Sequence, residues 1–289
     1  MILRGAGRAA ATCGELVQGA LTDGTAFQVT LPIDRWAEVR VTVRTSHGPS
    51  GSPAIRGIPH ERWKLGAAID QAVMQFVPGA SDVEVAHSSP IPVGEGFGSS
   101  TADVVAGWRA VASAAGATLS PAEVTARAGQ LEPTDGTAFE RIVAVTRSGA
   151  VLREWRWTPQ FVVVAARDGR RVDTMGADIA AFSRDAQIYE DVLGDLDRAA
   201  ASHDAGAFAR AATTSAQLHA RRAPATDVVH GLLDVVCDGD AGALGVAVGH
   251  TGSCGALLLP RGAGRPAIER AVDAVRRSTG RPAGVYHSL

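Results

Sequence analysis

The sequence contains almost no lysine. Of its 28 basic residues only Lys64 is a lysine, and the other 27 are arginine. A Walker A loop requires Gly-Lys-Ser/Thr, and Lys64 stands between tryptophan and leucine. That class of nucleotide site is therefore excluded, and very few roles in any mechanism can belong to a lysine.

Cysteine is also scarce. The three cysteines, Cys13, Cys237 and Cys254, form no Cys-x-x-Cys pair. An odd, sparse set without that spacing argues against a disulfide framework and against a structural zinc site.

Excess charge and long apolar runs are missing as well. The net charge of −2 removes the sequence-independent electrostatic argument for binding nucleic acid or an anionic membrane surface. About 18 consecutive apolar residues, the length of a membrane-spanning helix, occur nowhere. No apolar stretch of signal-peptide length precedes Glu15. We expect a soluble, cytoplasmic protein that binds neither nucleic acid nor membrane.

What the chain does contain is a mixture of strands and helices with a hydrophobic fraction of 46%, enough for a sizeable core. Periodicity and turn residues predict strands at 27–31, 36–45, 82–86, 142–146, 150–157, 161–166, 243–248, 256–259 and 283–287. They predict helices at 63–77, 99–115, 121–131 and 266–278, and a mostly helical stretch at 177–237 with breaks near His203 and Pro224. After Pro159 the mixture of short strands and helices gives way to a continuous apolar run and then to the mostly helical stretch. We therefore predict two domains, 1–158 and 159–289.

The most informative stretch is the glycine loop, residues 90–98, which opens directly into the helix predicted from Ser99. Gly94, Gly96 and Gly98 let the backbone adopt positive φ and approach a ligand closely. The helix start supplies unpaired N–H groups and the positive end of the dipole, which favours phosphate. Ser100 can add a hydroxyl ligand to Mg²⁺. The alternative is a plain loop with a serine N-cap.

A dinucleotide-binding fingerprint does not fit this loop. Such a fingerprint needs a strand running straight into the glycines and an acidic residue about twenty positions later on a second strand. Here Pro90 and Pro92 precede the glycines, and the first acid at that distance, Glu123, falls in a predicted helix. The loop is therefore predicted to bind phosphate in another manner.

Two carboxylates three residues apart, Glu132 and Asp135, follow the helix predicted at 121–131. Phosphoryl transfer to a hydroxyl needs oxygen ligands for Mg²⁺ and a carboxylate near the attacking O–H group. Glu132 and Asp135 can divide these tasks. The alternative is a helix terminus followed by an ordinary turn, which Asp-Gly favours.

Two further segments carry polar residues among glycines. In residues 11–19, Glu15 and Gln18 are candidates for a pocket lining, whereas Cys13 fits a small buried thiol better than a nucleophile, because no basic residue adjoins it. Residues 249–255 form a glycine-rich turn that either closes on phosphate or is a plain hairpin. His250 in that turn is either a base or merely solvated.

These motifs, in this order, resemble those of the GHMP kinases. The loop 90–102 is similar to the ATP-binding motif Pro-x-x-x-Gly-Leu-Gly-Ser-Ser-Ala-Ala, with Phe97 for Leu and Thr101 for Ala. Cys13-Gly14-Glu15 sits where the first motif of the family has Gly-Glu, and residues 249–255 sit at its third, glycine-rich motif. The resemblance implies an α+β fold of two domains, an N-terminal ATP-binding domain and a ferredoxin-like C-terminal domain.

Within the family, Cys-Gly-Glu-Leu-Val-Gln-Gly and Glu-Pro-Thr-Asp resemble the L-threonine kinases of cobalamin biosynthesis. The resemblance implies ATP and Mg²⁺ as cofactors and L-threonine as the acceptor, giving O-phospho-L-threonine. Asp135 would be catalytic, Ser100 and Glu132 would bind the metal, and Glu15, Gln18 and Asp135 would contact the substrate. The implied ATP-binding residues are Pro92, Gly94, Gly96, Phe97, Gly98, Ser99, Ser100 and Thr101.

The sequence departs from the family at three positions. Many members carry a lysine a few residues before Gly-Glu, where this chain has Arg8. Many members have asparagine after the catalytic aspartate, where this chain has Gly136. Glycine is usual in the family at the position of Cys254. Three alternatives stay open: a kinase for homoserine or another hydroxy amino acid or amino alcohol, a non-catalytic ATP sensor on the same scaffold, and a structural protein whose loop binds nothing. No oligomeric state is predicted.

Overall fold

The computed structural model describes residues 1–46, 53–170, 180–222, 227–239, 241–249 and 253–289. In these ranges the strands are β1 (Ile2–Ala20), β2 (Ala26–Thr45), β3 (Ala54–Arg56), β4 (Ala80–Ser88), β5 (Val143–Thr146), β6 (Val151–Glu154), β7 (Phe161–Arg167), β8 (Gly245–Val248), β9 (Cys254–Pro260) and β10 (Ala283–His287). The helices are α1 (Trp63–Phe76), α2 (Ser99–Ala114), α3 (Pro121–Leu131), α4 (Ala180–Ser183), α5 (Ala186–Ser202), α6 (Ala205–Arg222), α7 (Asp227–Asp238) and α8 (Arg265–Thr279). None of the helices described is long and apolar enough to cross a bilayer.

Most predicted elements are present within a few residues, but the two longest strands were missed or divided. β1 was not predicted, because its alanines and glycines show no alternation of apolar and polar residues. The predicted strands 27–31 and 36–45 are one strand, β2, which runs through Pro32. The helix break near Pro224 lies outside the described residues, and the break at His203 is confirmed by its left-handed conformation, φ 56°.

The ten described strands form one sheet in the order β10-β7-β9-β8-β1-β2-β4-β3, with β5 on β2 and β6 on β5. β1 and β2 form a long antiparallel hairpin from Ile2–Arg44 to Ala20–Ala26. Its register shifts between Thr12 and Glu15, so β1 bulges there. The bulge is also the point where β1 meets β8, through Glu15 and Val248.

The strands after residue 158 have the order expected for a ferredoxin-like unit. In chain order β7, β8, β9 and β10 are joined by helices as β-α-β-β-α-β, and in space they lie as β10-β7-β9-β8, all antiparallel. β7 is buried on both faces, since alternate residues face two different apolar clusters. The α+β fold class expected from the sequence is confirmed.

Helix α2 packs directly on the backbone of β1. It is buried along nearly its whole length. Two glycines of β1 make this contact possible, because a Cβ atom at Gly5 or Gly7 would lie closer than 3.0 Å to the backbone of α2 at Ala110 or Ala106. The position of the N-terminus of α2, and of the glycine loop before it, is therefore set by β1.

We predict that Gly7→Ala lowers the free energy of unfolding by about 1–3 kcal/mol, because the added methyl group overpacks the contact between β1 and α2. Urea denaturation of both proteins measures the difference. Gly79→Ala is the matched control, since a Cβ atom at Gly79 meets nothing within 4 Å; its effect is expected to stay within about 0.5 kcal/mol. Equal stabilities of Gly7→Ala and the parent chain would contradict the packing described.

Candidate active site

A cavity of about 650 Å³ lies where the β1 bulge, the glycine loop, the start of α1 and the 132–135 turn meet. Most residues singled out from the sequence line this one cavity: Glu15, Gln18, Gly94, Gly96, Phe97, Gly98, Ser99, Ser100, Thr101, Glu132 and Asp135. Pro92 does not line it. The three polar segments of the sequence analysis thus converge, although up to about 120 residues separate them along the chain.

The glycine loop has the backbone conformation expected from its sequence. Gly94, Gly96 and Gly98 have φ values of 74°, 80° and 66°, a region that disfavours other residues. Two backbone hydrogen bonds fix the loop to the β1 bulge, from Thr12 N to the carbonyl of Phe97 at 3.1 Å and from Gly14 N to the carbonyl of Gly96 at 3.4 Å. The loop is therefore held by main-chain hydrogen bonds at Gly96 and Phe97.

Helix α2 begins at the cavity without a side-chain cap. Its N-cap is Gly98, and no side-chain hydrogen bond caps its first turn, so the alternative of a serine N-cap is wrong. Ser99, Ser100 and Thr101 all line the cavity. The first N–H groups of a helix have no partner within the helix and lie at its positive end, so this terminus is suited to an anion.

Beside this terminus, Ser100, Glu132 and Lys64 form a polar cluster. The Ser100 hydroxyl lies 2.7 and 2.9 Å from the two carboxylate oxygens of Glu132, to which it can donate. The Lys64 ammonium forms an ion pair with the same carboxylate, which is almost fully buried. Two hard oxygen donors and one cation therefore face the region in front of α2.

Sequence reasoning set Lys64 aside, yet the structure places it in the cavity. It lies 68 residues from its partner, at the start of α1, so no local pattern connects the two. The one available signal was its rarity in a chain that otherwise uses arginine.

Asp135 lies under the glycine loop. Its Oδ1 atom accepts a hydrogen bond of 2.9 Å from the Thr137 backbone N–H, and its Oδ2 atom lies 3.1 Å from where a Cβ of Gly98 would be. Burial raises the pKa of Asp135 to about 6, opposed by its hydrogen bonds to Thr137 and aided by the nearby Glu132 carboxylate. This carboxylate therefore changes charge close to neutral pH.

On the far side of Asp135, polar side chains interrupt the apolar surface of the sheet. Glu15 and Gln18 on β1 pair with Thr30 and Gln28 on β2, and all but Thr30 line the cavity. Burial, followed by the charge of Asp135, raises the pKa of Glu15 well above its usual range. The sequence pointed to Glu15 and Gln18, but not to Gln28.

Arg147 also lines this side of the cavity, and sequence analysis gave it only a place in the β5–β6 turn. Its burial lowers the pKa of the guanidinium group. Its backbone is bonded to both neighbouring segments, since its N–H donates to the carbonyl of Ala26 and its carbonyl accepts from Thr134 N at 3.0 Å. Arg147 is therefore a candidate site residue, although the hairpin turn that contains it has no recognisable sequence motif.

A second buried ion-pair cluster contributes Arg62 and Asp103 to the cavity wall. Asp103, one turn after Ser100 on α2, pairs with Arg62 and lies 2.8 Å from Nε2 of His87 on β4. Arg62 also donates to the carbonyl of Ile91 at 3.3 Å. The cluster joins α2, the start of α1 and the glycine loop, and no sequence motif indicated it.

The remaining described residues discussed in the sequence analysis, Cys13, Cys254 and Arg8, do not line the cavity. Cys13 is fully buried, as predicted, and burial raises the pKa of its thiol. Cys254 is buried too, with its thiol 3.3 Å from the carbonyl of Gly96, and burial raises its pKa to about 12. Arg8 is exposed, stacks on Trp36 and pairs with Glu140 outside the cavity. His250 lies outside the described residues, whereas Gly249 lines the cavity.

Known proteins are similar to this chain in fold and in part of the sequence. Residues 65–140 match the family described as GHMP kinases N terminal domain. The chain is 32% identical over 143 residues to an L-threonine kinase of Citrobacter freundii, an alignment that covers 48% of this chain and 46% of that protein. The match thus spans about half the length of this relative.

Among solved structures, the chain is similar to the mevalonate kinase of L. major in complex with R-mevalonate, with a TM-score of 0.69 and 16% identity, covering 100% of this chain and 96% of that one. It is also similar to the mevalonate diphosphate decarboxylase from Enterococcus faecalis, a structure that concerns ATP binding mediated by mevalonate diphosphate. The TM-score is 0.65 and the identity 14%, and the match covers 100% of this chain and 97% of that one. The chain therefore has the fold of the GHMP kinases.

We predict that Asp135→Asn stabilises the chain in a pH-dependent way. Because the pKa of Asp135 is raised on folding from 3.8 to about 6, the aspartate favours folding below pH 4 and opposes it increasingly as the pH rises through 6. Asparagine has no such dependence. The stability difference between variant and parent should grow by about 2 kcal/mol in favour of the variant between pH 4 and pH 8.

Urea denaturation at a series of pH values measures this difference, with the exposed Asp273→Asn on α8 as the control for the substitution itself. A gap for Asp135→Asn that does not change with pH would show that the carboxylate titrates in its ordinary range.

Proposed function

We propose that this chain, which carries the GHMP kinase N-terminal domain on the GHMP kinase fold, is an ATP-dependent kinase of a small hydroxy amino acid, L-threonine in the first place. One observation carries the proposal. A buried carboxylate, Asp135, lies in the same cavity as an uncapped helix terminus and a serine–carboxylate pair. In this proposal they serve as the acceptor-positioning group, the anion site and the metal donors, which phosphoryl transfer requires together.

In this proposal the triphosphate of ATP lies along the glycine loop against the N-terminus of α2. The backbone N–H groups from Ser99 onward bind the phosphate oxygens, and the helix dipole favours their charge. A side chain at position 96 would collide with the Cys254 thiol, so this close contact of the loop requires glycine. Lys64 adds a positive charge next to this position.

The donors present fit Mg²⁺. Mg²⁺ prefers oxygen ligands and is usually bound by one or two carboxylates together with substrate phosphates, and Ser100 and Glu132 supply a hydroxyl and a carboxylate that touch one another. The described residues contain no cluster of three or more His, Cys, Asp or Glu side chains that would hold a metal alone. When bound with ATP, Mg²⁺ neutralises the charge that develops on the transferred phosphoryl group.

Asp135 accepts a hydrogen bond from the acceptor hydroxyl and orients its oxygen toward the γ-phosphorus. A bond forms between that oxygen and the phosphorus, the bond from the phosphorus to the β–γ bridging oxygen breaks, and ADP leaves. The hydroxyl proton passes to Asp135 and then to solvent. Because the transition state is loose, positioning and charge neutralisation provide most of the rate, and proton acceptance adds to them.

The choice of L-threonine is supported by the sequence similarity to the Citrobacter enzyme. It is also supported by the Cys-Gly-Glu-Leu-Val-Gln-Gly and Glu-Pro-Thr-Asp segments, which resemble those of L-threonine kinases. On the same resemblance we place the product, O-phospho-L-threonine, in cobalamin biosynthesis. A kinase for homoserine and an ATP sensor without turnover are the competing outcomes. ADP release with L-threonine, L-serine, L-homoserine and 1-amino-2-propanol separates them.

For the mechanism, we predict that Asp135→Asn lowers kcat at least about 100-fold, the scale of general base catalysis, while ATP still binds. In the parent enzyme, kcat/KM should rise as the pH increases through about 6, because the unprotonated carboxylate is the active form. Steady-state ADP release and equilibrium binding of ATP measure both effects.

The control is Glu140→Gln, which removes an exposed carboxylate outside the cavity. Unchanged turnover of Asp135→Asn would contradict the role of this residue, and a parent chain that binds ATP without releasing ADP on any acceptor would favour the sensor.

A further inference from the structure

The half of the cavity beyond Asp135 contains polar atoms that have no partner within the described protein. Glu15, Gln18 and Thr134 are 6%, 7% and 1% exposed. The atoms Glu15 Oε2, Gln18 Oε1 and Thr134 Oγ1 are buried without a hydrogen-bond partner, although all three residues line the cavity. A buried polar atom without a partner costs free energy, so three of them around one space indicate a polar ligand.

The fold brings these residues together from two neighbouring strands and two turns. Gln18 and Gln28 face each other across β1 and β2. The Gln28 amide donates to the carbonyl of Thr134 at 2.7 Å, and Thr134 in turn donates its N–H to the carbonyl of Arg147. Hydrogen bonds thus hold the backbone of the Arg147 turn to β2 and to the 132–135 turn. They fix the position from which the Arg147 side chain extends at the cavity wall.

Two ionisable side chains of opposite sign, Glu15 and Arg147, border this space. Burial and the nearby Asp135 raise the pKa of Glu15, so an arriving ammonium group favours the ionised carboxylate and forms an ion pair with it. Arginine presents a planar fork that matches a carboxylate. The combination suits a molecule that carries both an ammonium and a carboxylate group.

We propose that the acceptor is bound as a zwitterion, with its α-ammonium on Glu15 and its α-carboxylate on Arg147, so that Arg147 selects α-amino acids over amino alcohols. This inference rests on the proposed function. It places the acceptor hydroxyl toward Asp135, between this zwitterion-binding half of the cavity and the phosphate-binding half at α2. Gln18 and Gln28 complete the polar wall.

Three acceptors that differ by one group test the assignment. L-Threonine carries both charges, 1-amino-2-propanol lacks the carboxylate, and 3-hydroxybutyrate lacks the ammonium. We expect Arg147→Met to lower kcat/KM for L-threonine by about 30-fold or more, the range of a lost charged hydrogen bond, and to change 1-amino-2-propanol by less than about threefold. Glu15→Gln should lower kcat/KM for L-threonine and 1-amino-2-propanol at least about tenfold more than for 3-hydroxybutyrate. Where an analogue is not turned over, its inhibition constant against L-threonine replaces kcat/KM.

Arg153→Met is the matched control, because Arg153 is an exposed arginine on β6 of the same hairpin and does not line the cavity. Arg147→Lys keeps the charge and should restore part of the preference for L-threonine, which separates a charge effect from a folding defect. Equal losses on all three acceptors, or a parent enzyme that prefers 1-amino-2-propanol, would overturn the zwitterion assignment. A parent chain without turnover on any α-amino acid would instead overturn the proposed function.

Discussion

The close approach of α2 and its preceding loop to strand β1 is the constraint on which the site depends. Gly5 and Gly7 let the helix rest on the strand backbone, and two main-chain hydrogen bonds from Thr12 and Gly14 hold the loop. Because backbone makes these contacts, the helix terminus is placed with little freedom. The bulge that provides the two N–H groups also turns Glu15 toward the cavity, so both halves of the site share one origin in β1.

The charges around the cavity follow from this arrangement. Burial desolvates the carboxyl groups of Asp135 and Glu15, which raises the pKa of both. Lys64 and the Ser100 hydroxyl contact the carboxylate of Glu132. One wall is therefore prepared for a polyanion and a metal ion, and the other for a ligand with charges of both signs. Asp135 lies between them, where its proton can be lost near neutral pH.

The sequence predicted those parts of the structure that depend on neighbouring residues. The positive φ values of the glycine loop, the start of α2 at Ser99 and the bounds of the helix at 121–131 depend on local sequence, and each is confirmed. Strand β1 was not predicted because its close packing against α2 requires small residues. These residues leave no alternation of apolar and polar side chains that would indicate a strand. Lys64 contacts Glu132, which lies 68 residues further along the chain, and Arg147 lies in a turn without a motif. No local pattern therefore indicated either residue. The roles of the site residues remain predictions.

The decisive measurement is a crystal structure of the protein with a non-hydrolysable ATP analogue, Mg²⁺ and L-threonine. We expect the phosphates at the N-terminus of α2, the ion on Ser100 and Glu132, and the threonine hydroxyl within hydrogen-bond distance of Asp135. A triphosphate bound away from the glycine loop, or a hydroxyl turned away from Asp135, would contradict the proposed mechanism.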